Sequence, residues 1–110
     1  MNIADNDSVI PLTPQVLYVL LALAESQDNG YGLMRRVRQD SRGIVRLTAG
    51  TMYPLLKRIH RMGYITQLEP KVGSGPHGVK YVYRLANAGR LVLQWELDRY
   101  ASAVELGRQR

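Results

Sequence analysis

Lys57 and Arg61 stand four residues apart in the stretch TAGTMYPLLKRIHRM, residues 48–62, and Thr48 and Thr51 precede them three residues apart. On a helix the first pair shares one face, and the second pair marks the first turn. Cations on a face and hydroxyls at a helix start do binding chemistry. They hold phosphates and base edges rather than break bonds. Bond-making chemistry finds no comparable set. His60 and His77 are the two histidines, and His60 has Leu56 and Tyr64 at i±4 instead of a carboxylate. There is no cysteine, hence no thiolate nucleophile, thiolate metal site or disulfide. No His-Glu-x-x-His pattern occurs. Gly73-Ser74-Gly75-Pro76 is not followed by the Gly-Lys-Ser/Thr of a phosphate loop, and Ser74 has no base near it in sequence. With no nucleophile, base and orienting group, the chain reads as a non-enzyme without cofactor or metal.

The element that must position these groups is the 48–62 helix itself. Met52, Leu55, Leu56 and Ile59 follow the i, i+3, i+4, i+7 pattern of one buried stripe. At 100° per residue the opposite face carries Gly50, Pro54, Lys57 and Arg61, flanked by Tyr53 and Arg58. Pro54 lies inside the helix, where it removes one ladder bond and crowds the carbonyl of Gly50. Gly63 is placed for a left-handed C-terminal cap.

The charge map extends this reading. The net charge is +6. Between Asn29 and Arg84 eleven basic residues face only Asp40 and Glu69, while the rest of the chain is net acidic. Such a concentration implies a polyanion as partner, nucleic acid before membrane surface. The longest apolar run, Val16–Ala24, is far short of the ~20 residues a spanning helix needs. The N-terminus lacks a basic, apolar leader pattern. The expectation is a cytoplasmic protein with no membrane partner.

Around the central helix the chain orders itself simply. Residues 1–12 read as a frayed, flexible arm. Thr13-Pro14 caps and opens a helix to Glu25 or Ser26 that is apolar almost all round. One side would face the core and the other a second chain. After a Ser26–Asn29 connector, a helix spans about 30–40, with Leu33, Met34 and Val37 inward and Arg35, Arg36, Arg38 and Gln39 outward. Ile44–Leu47 is β-branched enough for one short strand. Residues 64–69 and 79–85 form a hairpin with a long tip, Lys71 and Lys80 at its base. Asn87 caps a last helix over 88–106, whose Leu93, Leu97, Tyr100 and Val104 form a heptad-type seam, with Leu91, Val92 and Trp95 as a second patch. Helix, helix, short strand, helix, strand, loop, strand, helix is the order of a winged helix-turn-helix, whose third helix enters the major groove. The fold class is therefore mainly α with a small β-hairpin: a winged helix-turn-helix over 13–86 plus a C-terminal dimerisation helix over 87–110.

Several runs carry a family resemblance. Gly30-Tyr31-Gly32, Leu47-Thr48-Ala49-Gly50-Thr51-Met52-Tyr53-Pro54-Leu55-Leu56-Lys57-Arg58-Ile59, Gly63-Tyr64-Ile65 and Lys80-Tyr81-Val82-Tyr83-Arg84-Leu85-Ala86-Asn87-Ala88-Gly89-Arg90 together resemble the PadR family of transcriptional regulators over about residues 14–105. The short C-terminus resembles the family's smaller, single-helix subgroup. Two departures stand out. Ala86 replaces the usual capping threonine, leaving Asn87 to substitute. His77-Gly78 replaces a more basic wing tip.

The resemblance implies a homodimer, held through residues 13–26 and 88–106, that binds double-stranded DNA at an inverted-repeat operator and usually represses. It assigns Thr48, Thr51, Tyr53 and Lys57 to recognition-helix contacts, and Lys71, His77 and Lys80 to the wing. The helical-face argument adds Arg61 as a backbone clamp. Several members of the family take a planar aromatic effector between the last helices. The aromatic position there falls on Tyr100, with Leu97 and Val104 on the same seam. The competing reading is a winged-helix protein-interaction module or scaffold subunit that does not read DNA sequence.

Overall fold

The computed structural model describes residues 10–72 and 79–110 and, for residues 69–72, 79 and 80, the backbone alone. Its elements are α1 (Pro14–Glu25), β1 (Asp28–Asn29), α2 (Gly30–Asp40), α3 (Ala49–Arg61), β2 (Ile65–Val72), β3 (Val79–Leu85) and α4 (Asn87–Gln109). The three strands form one antiparallel sheet in the order β1-β3-β2. No helix of the described residues is long and apolar enough to cross a membrane.

α1 starts as its sequence dictates. The Thr13 hydroxyl accepts the Val16 N–H at 3.2 Å, and Pro14 occupies the first turn, where its missing N–H costs nothing. Val19 and Leu20 are fully buried and Val16, Leu17, Ala22 and Leu23 nearly so. The cover comes from α2, β3 and α4 of the same chain. A second chain is thus not needed to bury most of α1, and only Tyr18, Leu21 and Ala24 remain half-exposed. The first helix was expected to need that partner because its own partners on three sides are not visible in a linear pattern.

Two local expectations change. Ile44–Leu47 is not a strand. α2 ends with Arg42 and Gly43 both at positive φ (54° and 79°), which turns the chain away from any sheet edge. The Ser41 hydroxyl, itself buried, then accepts the Val45 N–H at 2.9 Å and leaves it no ladder partner. The short strand lies instead at Asp28–Asn29, expected to be a connector, where it pairs with Tyr83 and Val82 on the free edge of β3. The stretch expected as an arm also divides. Leu12 is buried and Ile10 packs on the core, whereas residues 1–9 lie outside the described residues.

In the hairpin, Ile65 faces Leu85 and Leu68 faces Val82, but Lys71 faces Lys80. One extra residue therefore sits in β2 around Glu69-Pro70. A bulge is where a sheet tolerates proline, since the missing donor is not asked to pair. α4 begins one residue earlier than expected. Ala86 holds the cap position without a side-chain bond, and Asn87 is already the first helical residue, so it does not replace the lost capping hydroxyl. The start of α4 is set instead by close packing. A Cβ at Gly89 would collide with the Tyr64 carbonyl, and that carbonyl accepts the Ala86 N–H at 3.0 Å.

Beyond Glu96 every residue of α4 is exposed, and the molecule measures 54 Å along its longest axis. The core-facing side of α4 is Gly89, Val92, Leu93 and Glu96. Glu96 is a buried carboxylate that accepts from the Leu12 N–H and from Arg99 Nε. Those two donors hold it ionised. The Arg99 hydrogen bond is the larger influence lowering its pKa, and it outweighs the desolvation that works the other way.

Candidate nucleic-acid interface

α3 is fastened at both ends and along one side. At its start Thr48 N–H donates to the Thr51 hydroxyl at 3.0 Å, and that hydroxyl donates to the Thr48 carbonyl at 3.0 Å. At its end Gly63 (φ 83°) donates to His60 O and Tyr64 donates to Ile59 O, both at 3.0 Å. This is a Schellman closure with Tyr64 packing back beside Ile59. Met52, Leu55, Leu56 and Ile59 are buried, and Gly50, Pro54, Lys57 and Arg61 are exposed on the opposite side. The helix runs unbroken past Pro54.

The sequence-predicted residues then take distinct places. Thr48 and Thr51 are both exposed in the first turn, 3.2 Å apart through their hydroxyls. Thr51 already spends its proton on Thr48, so it offers a partner little more than a lone pair, and Thr48 is the freer group. Lys57 and Arg61 project from one face with no ion-pair partner among the described residues. The backbones of Lys71 and Lys80 stand opposite each other at the base of the hairpin tip. Their side chains, and His77 altogether, lie outside the described residues.

Tyr53 leans sideways rather than straight outward. A Cβ on Gly30 would come within 3.0 Å of the Tyr53 ring and hydroxyl, so the first glycine of Gly30-Tyr31-Gly32 exists to let that phenol lie on the start of α2. The second makes room for the Asp28 carboxylate, and Asn29 caps α2 by accepting the Gly32 N–H at 2.9 Å. Tyr31 stands beside Tyr53, exposed, and exposed Tyr81 continues the ridge on β3, with Tyr83 buried beneath it. Burial first, and the neighbouring Tyr31, raise the Tyr53 pKa; burial, then Tyr53 and Tyr81, raise that of Tyr83. The raised pKa keeps both phenols in the neutral O–H form, and of the two only Tyr53 is exposed and able to donate outward, Tyr83 being buried. Tyr31 was not among the predicted contacts. The signal for it was the glycine on either side, which makes the tyrosine between them the outward residue of a tight helix start.

Arg36 was expected to face solvent with Arg35 and Arg38. It does not. Its guanidinium donates to Ala22 O and, at 3.1 Å, to Ser26 O, and it pairs with Asp28 at 3.5 Å. It closes the C-terminal end of α1, where a cation suits the helix dipole. The basic surface thus has one member fewer than the linear count, and Arg35, Arg38, Arg42, Arg46, Lys57, Arg58, Arg61 and Arg84 are exposed.

The expected effector residues are not gathered in one place within the chain. Tyr100 lines a groove of about 400 Å³ with Pro14, Leu17, Tyr18, Ile44 and Val45. The Arg99 guanidinium stands 4.9 Å from its ring centroid. Leu97 borders a different hollow with Ala24, Leu85, Arg90 and Leu93. Val104 is exposed further along α4.

The profile of the Transcriptional regulator PadR-like family matches residues 19–95. This chain belongs to that family. A PadR family transcription regulator from Clostridium difficile superposes with a TM-score of 0.73 at 23% identity, covering 88% of this chain and 97% of that one. A putative transcriptional regulator from Thermoplasma acidophilum superposes with 0.64 at 26%, covering 86% and 82%. Bacillus subtilis PadR, solved in complex with operator DNA, gives 0.68 at 22%, covering 80% of this chain but 48% of that longer protein. No curated protein matches. The PadR-like assignment decides between enzyme and regulator in favour of the regulator, and the winged-helix fold with a C-terminal helix is shared with these structures.

Proposed function

We propose that this PadR-like protein is a cytoplasmic, homodimeric repressor that binds an inverted-repeat operator, with the first turn of α3 reading bases and Lys57 and Arg61 clamping the backbone. The observation that carries this is the outer face of α3: exposed cations and a threonine-capped start, opposite a buried stripe that fixes the helix. B. subtilis PadR's complex with operator DNA supports the same use of the fold here. Thr48, Thr51 and Tyr53 meet one groove, and the hairpin carrying Lys71, His77 and Lys80 meets the neighbouring backbone.

Dimerisation in this reading rests on α4, where Leu97, Tyr100 and Val104 are exposed at spacings of a helix-packing seam, with Tyr18, Leu21 and Ala24 of α1 beside it. A planar aromatic effector would enter by Tyr100, whose groove gains its missing walls, Leu97 and Val104, from the partner copy.

The test is fluorescence anisotropy on a duplex selected from a random pool. Wild-type affinity falls log-linearly with salt, and Lys57→Ala and Arg61→Ala each weaken binding and reduce the slope by about one. Unchanged affinity in both variants removes the groove assignment. A salt-insensitive interaction moves the face to protein contact.

A further inference from the structure

No packing contact among the described residues requires glycine at position 50. A Cβ built on it meets nothing closer than the Thr48 hydroxyl at 3.8 Å, ordinary contact, and its φ is not in the left-handed region. Other glycines of the helix-turn-helix and of the hairpin junction are explained from within. Gly30 and Gly32 make room for Tyr53 and Asp28, Gly89 for the Tyr64 carbonyl, and Gly43 and Gly63 take positive φ. Gly107, in the last turn of α4, also stands in open space, but far along the projecting helix. Glycine at an exposed position of a helix is a cost, since alanine loses less backbone freedom there. At Gly50 the cost has no packing return among the described residues.

Its position supplies one. Gly50 lies in the first turn of α3, on the face directly opposite the buried stripe, between the capping threonines and Lys57. Four residues on stands Pro54, which has no N–H. The Gly50 carbonyl therefore lacks its ladder donor in a helix that is otherwise continuous. One exposed residue thus combines a missing side chain with a carbonyl that has lost its i+4 donor. Among the neighbouring side chains only the hydroxyls of the capping threonines offer another acceptor. Lys57 and Arg61 only donate, and the Thr51 hydroxyl is engaged with Thr48.

We infer that Gly50 is the point of closest approach of α3 to the floor of the major groove, and that its carbonyl accepts a hydrogen bond from an exocyclic amino group, adenine N6 or cytosine N4. Those are the donors that the major groove presents at base edges. Pro54 is then a specificity residue that acts through Gly50, by leaving the acceptor unpaired. The inference rests on the DNA-reading role proposed above and names which chemistry that role uses.

The experiment uses the full-length chain and a duplex selected by the wild-type protein. Gly50→Ala keeps the thermal midpoint at or above wild type and binds an unselected duplex within about twofold of it, while its affinity for the selected duplex drops at least about tenfold. Each half-site adenine is then replaced in turn by purine, and each cytosine by 2-pyrimidinone, which lack the amino group. One such position weakens wild-type binding about fivefold or more, and that penalty vanishes in Gly50→Ala. Selected-duplex affinity within twofold of wild type in Gly50→Ala overturns the close approach. Indifference of the wild type to every analogue overturns the carbonyl contact. A wild-type protein that selects no duplex from the pool overturns the DNA reading itself, and this inference with it; that outcome is recognised before any variant is made.

Discussion

Glu96 offers the sharpest test of the packing, because a buried carboxylate ties the chain ahead of α1 to the last helix. Consider Glu96→Gln. The size and shape are kept, so no cavity is made. What changes is the charge and one acceptor. In the native protein Glu96 accepts from the Leu12 N–H and from Arg99 Nε. A bond to a charged group contributes about 1.5–3 kcal/mol. Arg99 is nearly half exposed, so solvent screening leaves its ion pair little weight. The Leu12 bond, in the buried end, carries most of the effect. Gln still offers the Leu12 N–H a neutral acceptor, so the expected loss is the difference between the two kinds of bond, about 1–1.5 kcal/mol, which for a domain of this size lowers the thermal midpoint by roughly 4–12 °C. The pH dependence has a definite sign. The folded pKa is lowered, chiefly by Arg99. Glu96 therefore stabilises the fold fully above its unfolded value of about 4.3, and that share is lost as pH falls through the lower, folded value. Urea unfolding at fixed protein concentration, at pH 7 and in steps to pH 3, should show a wild-type advantage over Glu96→Gln that narrows only below about pH 4.3. Equal midpoints at pH 7, or a gap that stays constant down to pH 3, would refute the reasoning.

Three further outcomes follow from single contacts. Arg36→Met keeps the aliphatic packing but takes the side-chain donor from Ser26 O, the second donor from Ala22 O and the partner of Asp28, so stability drops by about 1–3 kcal/mol; the slope of log affinity for DNA against log salt stays that of wild type, because this arginine is not on the proposed binding surface. Tyr64→Phe removes a buried hydroxyl that has no hydrogen-bond partner among the described residues, and urea midpoints should be equal to or above wild type rather than below it. Gly89→Ala drives a methyl group into the Tyr64 carbonyl and Leu85, costing about 1–3 kcal/mol by overpacking, measured by the same unfolding curves.

The parts of this fold legible in sequence were those governed by local rules. The α3 stripe follows a period of 3.6, and its closure at Gly63 and the Thr13-Pro14 start are written in single residues. The hairpin followed from alternation in Tyr81, Tyr83 and Leu85. What escaped depends on partners distant in the chain. Asp28–Asn29 has no strand-like composition, and it pairs only because α1 and α2 deliver it to the open edge of β3. Ile44–Leu47 has that composition and no edge to join. Arg36 reads as one more surface cation until α1 ends against it. The tyrosine ridge joins residues from α2, α3 and β3, which no window along the chain brings together.

The site shows the same division, and it shifts where the weight of the argument rests. α1 was expected to demand a partner because it is apolar on every side, yet three elements of its own chain cover it. Apolarity all round counts neighbours without saying whose they are. α4 is the opposite case. Its buried positions end at Glu96, and the thirteen or so residues beyond are exposed, although Leu97, Tyr100 and Val104 keep apolar spacing. A free helix of that length is marginal in water. A partner is therefore argued from α4, not α1. Leu97→Asp with Val104→Asp should give a monomer by sedimentation that keeps the helix-turn-helix fold and binds a single half-site weakly. A dimer surviving that double substitution at micromolar concentration would return the interface to α1 and unseat the seam.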